Sequence, residues 1–332
     1  MIKERVTTRD LQEINDLART LLILANYSWI ENQAEAVGVS IVPLKGIDLL
    51  QSLYSEQLNR HVTDIDILCK SEDDCRTLVG QLCQEEYRLE FPFALRHEAL
   101  ASKKKVSLIS CNTTKVNVDI HIAFVTKKFF SQTIGSFNSD ALERCKNGFM
   151  DEVDRWLFLA QHAAFHGFSD SKWTIDLKLL YDRLSEDDKE TLIRRANEYG
   201  FKRVLIAGLY QIKKDTPDSM RQELGRLTLT SSDCRFLSFV RYFDRPFSRG
   251  FIDRIVTAYW EFTFISSKRH RLSSWLHLLF PPKGLLTNIY RIKSTASIIF
   301  FYPLNFLISG LTSILFGLLY LFVCIKNAIV HE

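Results

Sequence analysis

Asp64 and Asp66 stand two residues apart in the stretch TDIDIL (Thr63 to Leu68), and a third acid, Asp119, sits in VNVDIHI (Val116 to Ile122). Side chains of an extended strand alternate between its faces, so acids at i and i+2 share one. Two carboxylates side by side repel each other, and a strand that tolerates them normally has a cation between them. Oxygen ligands suit Mg²⁺, and phosphate chemistry needs the metal. In VNVDIHI, Val116, Val118, Ile120 and Ile122 alternate with Asn117, Asp119 and His121, the period of a half-buried strand with one polar face. Laid beside TDIDIL, it would bring three carboxylates together. Such a triad can hold two metal ions, one lowering the pKa of an attacking hydroxyl and one neutralising charge on a leaving pyrophosphate.

The elements that must position these acids follow from the local pattern. Thr7 and Asp10 make a capping-box-like start to a helix that runs to about Ala36, and Gly38 ends it. An apolar strand over 39–44, a sharp Lys45-Gly46 turn and an amphipathic helix from Ile47 to about Leu58 lead into the aspartate strand. Ser71 and Asp74 cap the next helix, whose Cys75, Leu78, Val79 and Leu82 form an inward stripe. Short strands follow at 87–91 and 105–111, and the latter turns into VNVDIHI. Lys103 to Lys105 reads as a solvated turn. Strand, helix, strand, helix and a closing hairpin predict a mixed sheet with packed helices, an α/β fold.

From Asp151 the pattern is helical. His162 and His166 lie four apart on one helix face, but no Glu follows the first as in the zinc protease pattern, which points to hydrogen bonding or a cleft lining instead. The following helix carries Trp173 and Asp176, the latter an acid on a mostly apolar helix that predicts a buried partner.

The ordered set resembles the DNA polymerase beta superfamily of nucleotidyltransferases. More narrowly, LKG…Y…R…DIDIL, then VDIH and later H…H…W…D, is similar to an uncharacterised nucleotidyltransferase family whose members often sit among cell-envelope polysaccharide genes. The resemblance implies a nucleotidyltransferase-fold domain that takes an NTP as substrate and holds two Mg²⁺ through Asp64, Asp66 and Asp119, with Asp119 also serving as base for the acceptor hydroxyl. Lys45, Gly46 and Arg60 would bind the nucleotide: Gly46 lets the backbone approach the triphosphate, and the first amides of the following helix face its charge. The superfamily's usual turn is Gly-Ser, and Lys45-Gly46 departs from it. The acceptor implied is a saccharide or a lipid-linked molecule.

Composition sets the bounds. Of 332 residues, 46% are hydrophobic and 25% charged, which excludes wholesale disorder, and a net charge of +4 is too mild to argue for nucleic acid. Seven cysteines without a C-x-x-C pair indicate reduced thiols. The polar start MIKERVTTRDLQE lacks the apolar core of a secretory signal, so the catalytic part is expected in the cytoplasm. Arginines and aromatics interleave after Ser231, and Ser294 to Ile325 then contains no charged residue, long enough to cross a bilayer.

The organisation expected is an N-terminal helix over 1–36, a nucleotidyltransferase-fold domain over 37–148 and an all-helical domain over 149–230. A basic aromatic helical region over 231–293 and a hydrophobic membrane segment over 294–326 complete it. The last would be a single span or a re-entrant anchor at the cytoplasmic face of the cell membrane, with a buried helix as the soluble alternative. Nucleic acid is disfavoured as a partner because the basic region abuts the apolar run. A fold kept as a silent scaffold or binding module is the competing function.

Overall fold

The computed structural model describes residues 8–55, 60–91, 94–95, 104–125 and 133–242, with seven more positions between 303 and 318. The chain divides into two compact units, Met1–Phe124 with Arg144–Met150, and Val125–Glu143 with Asp151–Glu332.

The first unit is built on a five-stranded mixed sheet. In chain order its elements are α1 (Thr8–Ala36), β1 (Ile41–Leu44), α2 (Lys45–Ser52), β2 (Ile65–Cys69), α3 (Glu72–Glu85), β3 (Tyr87–Leu89), β4 (Lys105–Ser110) and β5 (Val118–His121). The strand order is β1-β2-β5-β4-β3. β2 and β5 run parallel, while the β1–β2, β4–β5 and β3–β4 pairs are antiparallel. A parallel central pair needs a crossover, and α3 with β3 and β4 supplies the intervening chain.

Alternation assigns each strand's two faces. Ile65, Ile67 and Cys69 of β2, Val106 and Leu108 of β4, and Val118 and Ile120 of β5 form one buried core with Ile23, Tyr27 and Ile30 of α1 and Cys75, Leu78, Val79 and Leu82 of α3. The opposite face therefore receives Asp66, Lys105, Ser107, Asp119 and His121. α3 starts as its sequence predicts: the Ser71 hydroxyl accepts from the Asp74 amide at 3.0 Å, and Glu72, Asp73 and Asp74 occupy the positive first turn. At the other end of α1, Gly38 takes φ +71, and the Val39 amide reaches back to the Ala34 carbonyl at 2.8 Å.

The sheet departs from expectation in detail. α2 ends at Ser52 rather than near Leu58: the Leu53 amide makes the last helical bond to the Leu49 carbonyl at 2.8 Å, and the Tyr54 amide shares that same carbonyl at 2.9 Å instead of continuing the ladder. β4 begins at Lys105, where a strand is expected, so only the last lysine of the basic run read as a solvated turn belongs to the sheet.

The second unit is helical: α4 (Thr133–Glu143), α5 (Glu152–Phe165), α6 (Ser171–Arg183), α7 (Glu186–Glu198), α8 (Lys202–Lys213), α9 (Pro217–Gly225) and α10 (Ser231–Tyr242). Trp156, Phe137 and Phe201 are its largest fully buried side chains. The Trp156 indole donates to the Leu177 carbonyl at 3.1 Å, and Gly208 of α8 lies directly against the ring. Asp151 caps α5, accepting from the Val153 and Asp154 amides, and Arg195 of α7 pairs with both Asp151 and the fully buried Asp154. Asp176 is buried on its mostly apolar helix.

The basic aromatic region and most of the uncharged run from Ser294 lie outside the described residues. Within the run, Phe306, Leu307, Leu311, Ile314 and Leu318 are helical and exposed. Among the described residues, no helix is long and apolar enough to cross a membrane.

Candidate active site

Register decides which polar side chains meet. Asp66 of β2 pairs with Asp119 of β5, Ser107 of β4 pairs with Asp119, and Lys105 pairs with His121. Paired residues share a face, so these side chains stand together on the sheet side opposite the core. Ligand atoms of Asp66, Asp119 and His121 lie within 4.8 Å of one another, a spacing compatible with one cation. His121 Nε2 is 2.8 Å from Asp66 Oδ1.

Each carboxylate also has a lysine. Lys45 Nζ donates to Asp66 Oδ1 at 2.5 Å, and Lys105 Nζ donates to Asp119 Oδ2 at 2.6 Å. The Ser107 hydroxyl donates to Asp119 Oδ1 at 2.6 Å. Lys45 reaches Asp66 from the β1–α2 turn, where Leu44 is still extended and Lys45 takes φ +50. That left-handed conformation costs an L-residue roughly 1–2 kcal/mol, the kind of strain found at sites where a side chain must be aimed.

The turn is closed on its other side. A Cβ on Gly46 would lie 2.7 and 2.9 Å from the Val62 methyls and 3.1 Å from Arg60 Nη1, so only glycine lets the buried Arg60 cross here. Leu44 contributes no side-chain cap to α2.

Electrostatics sharpen the picture. Burial would raise the Asp66 carboxyl, but the Lys45 charge, the His121 hydrogen bond and charge, and the Lys45 hydrogen bond outweigh it and hold Asp66 well below the usual carboxylate range. Burial also lowers the His121 imidazole, the Lys45 charge adds to this, and the Asp66 contact opposes it. An ionised carboxylate and an imidazole biased toward its neutral form are the protonation states a metal requires of its ligands. The donor set therefore fits a divalent cation.

Of the residues singled out from sequence, Asp66 and Asp119 are brought together, Lys45 is joined to Asp66, and Gly46 meets Arg60. Asp64 sits half-buried in the bend just before β2, its carboxylate accepting from the Thr63 hydroxyl at 2.8 Å, and it is not part of the 4.8 Å group. His121, Lys105 and Ser107 are additions. His121 was signalled by its i+2 spacing from Asp119, whereas Lys105 and Ser107 depend on a cross-strand register that no local pattern fixes.

In the helical unit, His162 and His166 form an aromatic cluster with Trp173: the two imidazoles are 4.8 Å apart, and the indole is 5.6 and 5.1 Å from them.

Residues 7–214 match the family described as uncharacterised nucleotidyltransferase, and the chain belongs to that family. A nucleotide substrate follows from that membership. No curated protein matches the chain.

Proposed function

We propose that the protein moves a nucleoside monophosphate from an NTP to an acceptor hydroxyl, with pyrophosphate as the leaving group, in a reaction that depends on a divalent metal. The observation that carries this reading is the register pairing of Asp66 with Asp119, which sets two carboxylates and the His121 imidazole on one polar sheet face. A cation held by Asp66, Asp119 and His121 would neutralise phosphate charge and lower the pKa of the attacking hydroxyl. Asp119, at 17% side-chain exposure the more open of the two carboxylates, receives the hydroxyl proton. Arg60 and the α2 amides bind the triphosphate, and Gly46 keeps the backbone open to it. Asp64, at the mouth of β2, is the carboxylate available to a second ion, which would complete a two-Mg²⁺ arrangement.

The uncharged run from Ser294 to Ile325 supports a location at the cytoplasmic face of the cell membrane, through a single span or a re-entrant anchor. The acceptor that suits this location is a saccharide or a lipid-linked molecule used in envelope polysaccharide assembly. The test is incubation of the full chain with each labelled NTP, Mg²⁺ and a membrane extract. Label transferred to a saccharide or lipid product supports the reading, and an Asp66→Asn chain gives about 10²–10³-fold less of it.

The Lys45–Asp66 and Lys105–Asp119 pairs favour a second reading, in which the fold binds nucleotide without turning it over. Nucleotide binding with no labelled product from any NTP would establish it.

A further inference from the structure

Both carboxylates of the candidate metal site already have a cation. Lys45 Nζ is 2.5 Å from Asp66 and Lys105 Nζ is 2.6 Å from Asp119. The two lysines arrive from opposite sides: Lys45 from the turn after β1, one strand beyond β2, and Lys105 from β4, one strand beyond β5. The Lys45 pair is largely shielded from water, with side-chain exposures of 17% and 5%. The pair at Asp119 is more open, at 37% and 17%.

A divalent ion cannot take these oxygens while leaving both ammonium groups in place, since like charges so close in a partly dry site repel strongly. Something must draw the lysines away. A triphosphate is suited to this. It is the anion that the Lys45-Gly46 turn and the uncapped α2 amides face, and ammonium groups on flexible four-carbon stems can turn from carboxylate to phosphate oxygen without moving the backbone.

We infer that Lys45 and Lys105 are exchangeable counter-ions: they occupy Asp66 and Asp119 in the free protein and transfer to the phosphates when metal and polyphosphate enter together. The inference rests on the metal-dependent reading above. It makes the two ligands interdependent, so that metal alone binds weakly and polyphosphate favours its entry. Such coupling is reciprocal and typically amounts to about 5–150-fold. Together the two lysines offset the two carboxylate charges until a substrate arrives.

The experiment measures two affinities separately on the full chain: Mn²⁺ alone, by paramagnetic resonance, and metal-free tripolyphosphate, by calorimetry. Lys105→Met and Lys45→Met are compared with the unaltered chain and with Lys104→Met. Lys104 carries the same charge one residue away but pairs with Glu72, at 3.3 Å. The expected result is a crossover: Lys45→Met and Lys105→Met each bind Mn²⁺ more tightly, by roughly 5–150-fold, and tripolyphosphate more weakly, while Lys104→Met changes neither. Lys105→Met keeps the test decisive if the more buried Lys45 variant fails to fold. Equal Mn²⁺ affinity in all chains overturns the exchange and leaves the metal site standing. Absence of Mn²⁺ binding from every chain, Lys105→Met included, overturns the metal site itself.

Discussion

Asp66 and Asp119 face each other across a parallel ladder between β2 and β5, although 53 residues separate them, because Ile65 pairs with Val118 and each following residue keeps step. The chemistry of the sheet's polar face depends on that register. A slip of one residue would turn Asp119 into the core and Ile120 out of it. Asp66→Asn and Asp119→Asn are therefore expected to reduce turnover of the labelled NTP by about 10²–10³-fold, the scale seen when one preorganised electrostatic contact is removed. Unaltered far-UV dichroism would show that the sheet survives.

Asp64 allows a finer distinction. Its carboxylate accepts from Thr63 and lies outside the 4.8 Å group of Asp66, Asp119 and His121. Asp64→Asn should leave the first Mn²⁺ affinity within twofold (~2-fold) while lowering turnover, because on the proposed two-ion reading it serves only a second ion. Equal loss of both quantities would place Asp64 among the ligands of the first.

His121 introduces nitrogen into an otherwise oxygen set. Imidazole suits softer divalent ions, whereas carboxylate and water suit Mg²⁺. His121→Ala is expected to weaken Mn²⁺ binding about 10–100-fold, the range found when a group that ligates or orients at a metal site is lost. Mg²⁺ binding should fall less, and competition titration of the two ions measures the difference.

The faces of Asp66 and Asp119 could be read from sequence because alternation is a local signal: VNVDIHI states which residues share a side whatever it pairs with, whereas Asp64 falls in the bend before β2, outside the alternation read for it. His121 was legible by the same rule, yet a histidine on a polar face has no local mark that separates a ligand from a solvated group. Lys105 was not legible. It looked like the end of a basic turn, and only the β4–β5 register, closed through a turn across 14 residues, aims it at Asp119. The early end of α2 was equally hidden, since neither Leu53 nor Tyr54 carries a stop signal.

Gly46 tests the close approach at the strand-to-helix turn. Gly46→Ala puts a methyl 2.7 Å from one Val62 methyl and 3.1 Å from Arg60 Nη1. Overpacking of this kind costs about 1–3 kcal/mol. Urea unfolding should show that loss, and tripolyphosphate affinity should fall as Arg60 is displaced. Val62→Ala in the same chain removes the methyls that clash and should recover stability more than it recovers anion binding.

Alkaline pH should unfold the protein through groups other than the metal ligands. Burial first, and the Glu86 charge second, push the Tyr87 phenol up from 10.0 to about 12. Burial likewise pushes the Cys75 thiol up from 9.0 to about 12, with Arg76 opposing it and Glu72 and Asp74 adding to it. Tyr27, Cys69 and Tyr181 move the same way, each mainly through burial. A raised pKa means that the folded chain keeps a proton the unfolded chain has already released. The associated stability is complete below the ordinary pKa, and each group loses it at about 1.4 kcal/mol per pH unit between that value and the raised one. Unfolding free energy should therefore hold steady up to about pH 9 and fall steeply toward pH 12, as urea titrations at stepped pH would record. Tyr87→Phe keeps the ring that stacks on Trp29 and removes the ionisable hydroxyl, along with its hydrogen bond to the Val116 carbonyl. That chain should start about 1 kcal/mol less stable at neutral pH and decline less steeply above pH 10, so the two stability curves converge as the medium becomes alkaline.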